Sequence, residues 1–132
     1  MFNCRVNSMA SKRPKYLNLF KIKLPLPGIV SFLHRVSGAL LFAAIPLCIA
    51  GLQATLASAE SFDAMRRGLG NPLVKLVLIG LLWGFLHHFF AGVRFLAMDF
   101  GFGLDLGTAR RNSARVMFFS LMLTLLIGGW LW

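Results

Sequence analysis

The chain has 132 residues, room for one domain at most, and it is 58% hydrophobic and only 14% charged. A water-soluble domain of this size has too little interior to hide so much apolar surface, so the composition requires a bilayer as solvent. The formal net charge of +10 would suit a nucleic-acid ligand, but the basic residues form clusters separated by long uncharged runs. That is the layout of loops between membrane spans, not a basic stripe on a soluble face, and no nucleic-acid partner is expected.

Residues 1–28 form a basic arm carrying Arg5, Lys12, Arg13, Lys15, Lys21 and Lys23 and no acidic residue. It has no signal-peptide cleavage pattern, and Met9 is an alternative start. Pro25 and Pro27 are expected to stop any regular helix there, because proline lacks an N–H donor and restricts its predecessor. Leu24, Leu26 and Phe20 are expected at the membrane surface.

A transmembrane domain over 29–132 follows, with spans predicted at about 29–57, 73–98 and 114–132. Val36 to Ala59 contains no Lys, Arg, Asp or Glu over 24 residues, and about 20 suffice to cross the hydrocarbon core. Pro46 lies within this run as a candidate kink. Glu60, Asp63, Arg66 and Arg67 read as a mixed-charge loop, closed by Gly68, Gly70, Asn71 and Pro72. The second span is free of formal charge between Lys75 and Arg94 and ends at Asp99 and Gly101. After Arg110, Arg111 and Arg115, the run Val116 to Trp132 is apolar to its last residue. Its 17 residues rise about 25 Å as a helix.

The expected fold class is therefore an all-α membrane protein with three transmembrane helices. The basic arm and the arginine cluster lie on one side, so the positive-inside rule puts the N-terminus in the cytoplasm and the C-terminus in the periplasm. Trp130 and Trp132 fit an outer aromatic belt.

Ionisable residues inside spans are costly and normally face a cavity, partner or cofactor. Here they are His34 and Arg35 in the first span and His87, His88 and Arg94 in the second. By helical rise the two sets overlap in depth in the cytoplasmic half, His88 lying roughly 16 Å inside Asp99, so a shared pocket is expected. Ser31 and Arg35 share a helix face at i, i+4, with Gly38 at i+7 from Ser31. His88 and Gly92 have the same i, i+4 relation, which leaves space for a flat group or another helix.

A neutral imidazole is a natural axial ligand for haem iron. Plainer readings stand beside this one: interhelix hydrogen bonding for His87, snorkelling for Arg35 and Arg94, simple packing for Gly38 and Gly92. His87 and His88 diverge by about 100° and cannot clasp one haem together, so a second axial ligand would be His34 or a residue of another chain. Cys4 and Cys48 form no zinc, iron–sulfur or C-x-x-C-H pattern.

Three blocks carry a family resemblance. They are Arg13-Pro14-Lys15-Tyr16-Leu17-Asn18-Leu19, then Ser31-Phe32-Leu33-His34-Arg35-Val36-Ser37-Gly38, then His88-Phe89-Phe90-Ala91-Gly92-Val93-Arg94 with Met98-Asp99-Phe100-Gly101. In this order and spacing the chain resembles the cytochrome b556 subunits of bacterial succinate dehydrogenase, over about residues 12–132. The resemblance implies that His88 is the axial ligand of haem b, and that Ser31 and Arg35 bind ubiquinone. It implies that His34 and Arg94 lie near the haem propionates. It also implies a second three-helix anchor subunit that shares the haem, an iron–sulfur subunit and a succinate-oxidising flavoprotein, all at a bacterial inner membrane. Phe95 departs from the pattern, since many relatives have histidine there. The rival readings are a fumarate reductase anchor working with menaquinone, and a non-redox transport or assembly subunit.

Overall fold

The computed structural model describes residues 24–131. The Arg13–Leu19 block, Cys4, the alternative start at Met9, Phe20 and Trp132 lie outside the described residues. Within them the protein is all-helical, with four helices: α1 (Leu26–Ala57), α2 (Ala59–Leu69), α3 (Pro72–Asp99) and α4 (Leu106–Leu131). Three of these, α1, α3 and α4, are long and apolar enough to cross a membrane. Helix α3 is central and packs against both α1 and α4.

The helix boundaries differ from expectation at three points, each for a local reason. Helix α1 begins at Leu26, because Pro27 falls in the first turn, where a missing N–H costs nothing. The expected mixed-charge loop is the helix α2. Ser58 caps it, its side chain accepting from the Ser61 N–H while the Ser61 hydroxyl accepts from the Ser58 N–H. Glu60 in the first turn and Arg66 and Arg67 in the last complement the helix dipole. Helix α4 starts at Leu106, well before the expected 114, because Asp105 accepts the Thr108 N–H at 2.8 Å and so satisfies an otherwise orphan donor.

The other ends follow expectation. Asn71 caps α3 by accepting the Leu73 N–H, with Pro72 in the first turn. Helix α3 closes in a Schellman turn, with Phe102 N–H to Ala97 C=O and Gly101 N–H to Met98 C=O. Gly101 takes φ of 85° there, which only glycine adopts without strain.

Packing is inside-out relative to a soluble domain. The buried apolar residues are few, chiefly Val30, Leu86, Ala91 and Val116, while Phe42, Leu47, Leu56, Leu125 and Trp130 are exposed. Lipid tails are as apolar as leucine, so helices associate through close packing of small residues. Helix α4 does this with Ser113, Val116, Ser120, Thr124 and Gly128 as its buried stripe. The three hydroxyls bond to backbone carbonyls of their own helix, Ala109, Met117 and Ser120 respectively, so none is left unsatisfied.

Candidate functional site

The site begins where α1 and α3 cross. Each helix offers a glycine to the other's histidine. A Cβ on Gly38 would lie 2.8 Å from His88 Cε1, and one on Gly92 would lie 3.7 Å from His34 Nε2. The bare patches foreseen beside Gly38 and Gly92 are thus filled by imidazoles of the opposite helix. The two rings stack face to face, with centroids 4.2 Å apart and planes 11° from parallel.

The proton on His88 can be assigned from its partners. Its Nδ1 lies 3.0 Å from the His34 carbonyl oxygen and 3.3 Å from Ser37 Oγ. A carbonyl only accepts, so Nδ1 carries the hydrogen. The Ser37 hydroxyl donates to the same carbonyl at 3.0 Å. The lone pair is left on Nε2, the arrangement found in metal-bound histidines, where the second ring nitrogen is tied to a backbone carbonyl. Ser37, 5% exposed, is a positioning residue that the sequence reading did not single out. Its place one residue before Gly38, on the α1 face that meets α3, was the available signal.

His88 is the one histidine among the described residues lining a largely apolar groove of about 640 Å³ between α1 and α3, which Cys48 also lines. Gly38, Phe42, Ile45 and Ile49 form its α1 wall, and Phe85 and Phe89 form much of its α3 wall. This volume is within the range of cofactor sites, and the wall is dry, flat-sided and supplied with one free imidazole nitrogen. The residues present fit a haem. Ser31 is one heptad before Gly38 and Arg35 one heptad before Phe42, so both continue the groove-lining stripe about 10 Å toward the start of α1. Ser31 is half-buried and Arg35 exposed.

Arg94 does not join this group. It sits in a separate cleft between α3 and α4 with Asn112 and Arg115, because six residues turn it about 120° away from His88. The shared pocket expected for all the intramembrane ionisable residues is therefore two sites. The Phe95 ring stands next to both, 5.2 Å from the His34 ring and 5.3 Å from the Arg94 guanidinium carbon. His34 is held in the stack with His88.

His87 is fully buried, tilted against Trp83 at 5.5 Å, with its ring turned toward the Val30 backbone of α1, though neither ring nitrogen reaches close hydrogen-bond geometry. That places His87 against the α1 backbone, in the direction of the interhelix hydrogen bond considered for it.

Fold and site together define a polytopic membrane protein with an imidazole-bearing groove between two of its spans. Comparison with known proteins defines it more closely. The family described as succinate dehydrogenase/fumarate reductase transmembrane subunit matches residues 9–127. Three curated proteins, each named succinate dehydrogenase cytochrome b556 subunit, are similar to the chain. That of Coxiella burnetii is 39% identical over 94% of this chain and 100% of its own length. The Paracoccus denitrificans protein is 32% identical over 86% and 88%, and the Rickettsia felis protein 26% identical over 89% and 91%. The chain belongs to the succinate dehydrogenase/fumarate reductase transmembrane subunit family, and it is a multi-pass protein of the bacterial inner membrane.

Proposed function

We propose that this chain is the haem-b- and ubiquinone-binding membrane anchor of a succinate:quinone oxidoreductase. The observation that carries the reading is the His88 imidazole, proton-locked on Nδ1 by the His34 carbonyl and set in a dry groove with Nε2 free. His88 would ligate haem b through that nitrogen. Haem b, when bound, supplies a one-electron redox centre inside the membrane. The succinate dehydrogenase names of the similar proteins favour succinate oxidation over fumarate reduction.

His34 holds the ligand ring twice, through its carbonyl and through its stacked imidazole. Face-to-face stacking aims neither ring's lone pair at the other, so His88 would hold the haem and His34 would position His88. A second anchor subunit would supply the remaining protein contact to the haem.

Ser31 and Arg35 form the quinone head-group site at the end of the groove. The serine hydroxyl donates to a quinone carbonyl. The Arg35 guanidinium stabilises the negative charge that grows on that oxygen during reduction, an effect stronger where water is sparse. Electrons would come from a partner iron–sulfur subunit fed by a flavoprotein, in keeping with the succinate dehydrogenase names of the similar proteins. By the positive-inside rule the α3–α4 connection, with Arg110, Arg111 and Arg115 after it, would face the cytoplasm, where those subunits would dock.

The test uses the purified complex. His88→Ala should abolish the b-type reduced-minus-oxidised spectrum, and an unchanged spectrum would refute the ligand assignment. Ser31→Ala and Arg35→Ala should each lower quinone reduction at least tenfold while succinate oxidation by an artificial acceptor persists. Equal loss of both activities would point to failed assembly instead.

A further inference from the structure

The α3–α4 cleft contains a cation, Arg94, that touches the Phe95 ring but has no anionic partner among the described residues. Arg94 is 8% exposed, and its Nε and Nη1 are buried without a hydrogen-bond partner. A buried guanidinium without an acceptor is among the costliest arrangements a fold can hold, so the site is built for an anion that completes it. The cleft is about 200 Å³ and is lined by Phe90, Val93, Ala97 and Phe102 besides Arg94, Asn112 and Arg115. Arg115 is exposed and is steered by its own bond to Asn112, Nη1 to Oδ1 at 3.2 Å. Asn112 in turn lies against Gly103, where a Cβ would meet Asn112 Nδ2 at 3.0 Å. With φ of 73°, Gly103 lets the α3–α4 connection pass close over the cleft.

We propose that Arg94 and Arg115 hold the phosphate of an anionic glycerophospholipid, one of whose acyl chains lies along Phe90 and Val93. Three features select this ligand. Arg94 is five residues before the end of α3, roughly 7 Å in along the axis, which is head-group depth. The cleft's rim carries Val93 and Phe102, 50% and 71% exposed, apolar side chains that suit an acyl chain better than water. Two guanidiniums favour a net negative head group over a zwitterionic one, whose own ammonium would oppose them. Basic pockets between spans near the cytoplasmic leaflet recognise lipid phosphates in this way. A cleft of this size falls below the roughly 300 Å³ at which drug-sized molecules are held, so it takes a head group and not a macrocycle.

The test is lipid retention by the intact purified complex, delipidated and then titrated with detergent micelles containing phosphatidylglycerol, phosphatidylcholine or no lipid, and separately with inorganic phosphate. Native mass spectrometry reads the bound lipid, and the visible spectrum reads the haem. Phosphatidylglycerol should bind at least tenfold more tightly than phosphatidylcholine. Arg94→Gln should cut that affinity about tenfold with haem content unchanged. Arg94→Lys, which keeps the charge but not the two-pronged donor, should fall between. The exposed Arg115→Gln, which leaves the buried packing intact, should weaken binding as well and covers a folding failure at position 94. Equal retention of the two lipids, or undiminished retention in the variants, overturns the proposal. So does full competition by millimolar inorganic phosphate, which would make free phosphate the ligand. Loss of haem with lipid retained in Arg94→Gln also overturns it, and returns Arg94 to a propionate.

Discussion

Gly38 and Gly92 look alike in sequence, one glycine per motif, yet the fold separates them. A methyl group at position 38 would overlap the His88 ring at 2.8 Å, whereas one at position 92 meets His34 at an ordinary 3.7 Å. The His88 ring cannot simply swing aside, because Nδ1 is tied to the His34 carbonyl and Ser37. Gly38→Ala should therefore cost about 1–3 kcal/mol, as overpacking typically does, and should broaden or weaken the b-type spectrum. Gly92→Ala should leave both the spectrum and the melting temperature of the purified complex close to the parent values. If the two variants behave alike, the imidazoles are not seated as described. Ser37 belongs to the same lesson, since its hydroxyl acts only through the ring it positions.

At the scale of the helix, the charged and capping residues at the ends decide where each element starts, and α4 shows how. Asp105 is exposed, and its carboxyl is held below the usual carboxylate range first by the Thr108 hydroxyl and then by the Thr108 backbone N–H. A lowered folded-state pKa means that the cap's contribution is fully present above the ordinary aspartate value. It is lost as pH falls through the lower, folded value. The stability difference between the parent and Asp105→Ala, read from thermal melts, should thus be constant near neutrality and shrink below about pH 4. Asp105→Asn should keep most of the cap at all pH values, since asparagine caps as well as aspartate. A difference that grows on acidification would contradict this account. Helix α2 has the same logic: Ser58 and Ser61 cap it, although its charges first read as a loop.

At the scale of the whole molecule, the α1–α3 groove presents one imidazole nitrogen from this chain, and the stacked His34 does not supply its mate from across an iron. The chain produced without a second anchor subunit should therefore yield no bis-imidazole low-spin haem, in absorption or in electron paramagnetic resonance. Co-production with that subunit should restore it. A six-coordinate low-spin signal from this chain alone would mean that the two histidines rearrange to face each other.

Much of this was legible in the linear chain. The uncharged runs gave three spans, because a bilayer tolerates few charges over about 20 residues, and the motif spacing singled out Ser31, His34, Arg35, His88 and Arg94. Helix rise also brought the two histidine motifs to one depth, and His34 and His88 do meet. Periodicity gives a residue's angle on its own helix but not which neighbour that angle meets. Only the packed arrangement could therefore show that Gly38 seats His88, that His87 turns inward toward the Val30 backbone, and that Arg94 faces α4. The buried stripe of Ser113, Ser120 and Thr124 on α4 stayed hidden for a related reason. In lipid, small polar residues rather than large apolar ones mark the contact face, and hydropathy averaged over a span does not reveal them.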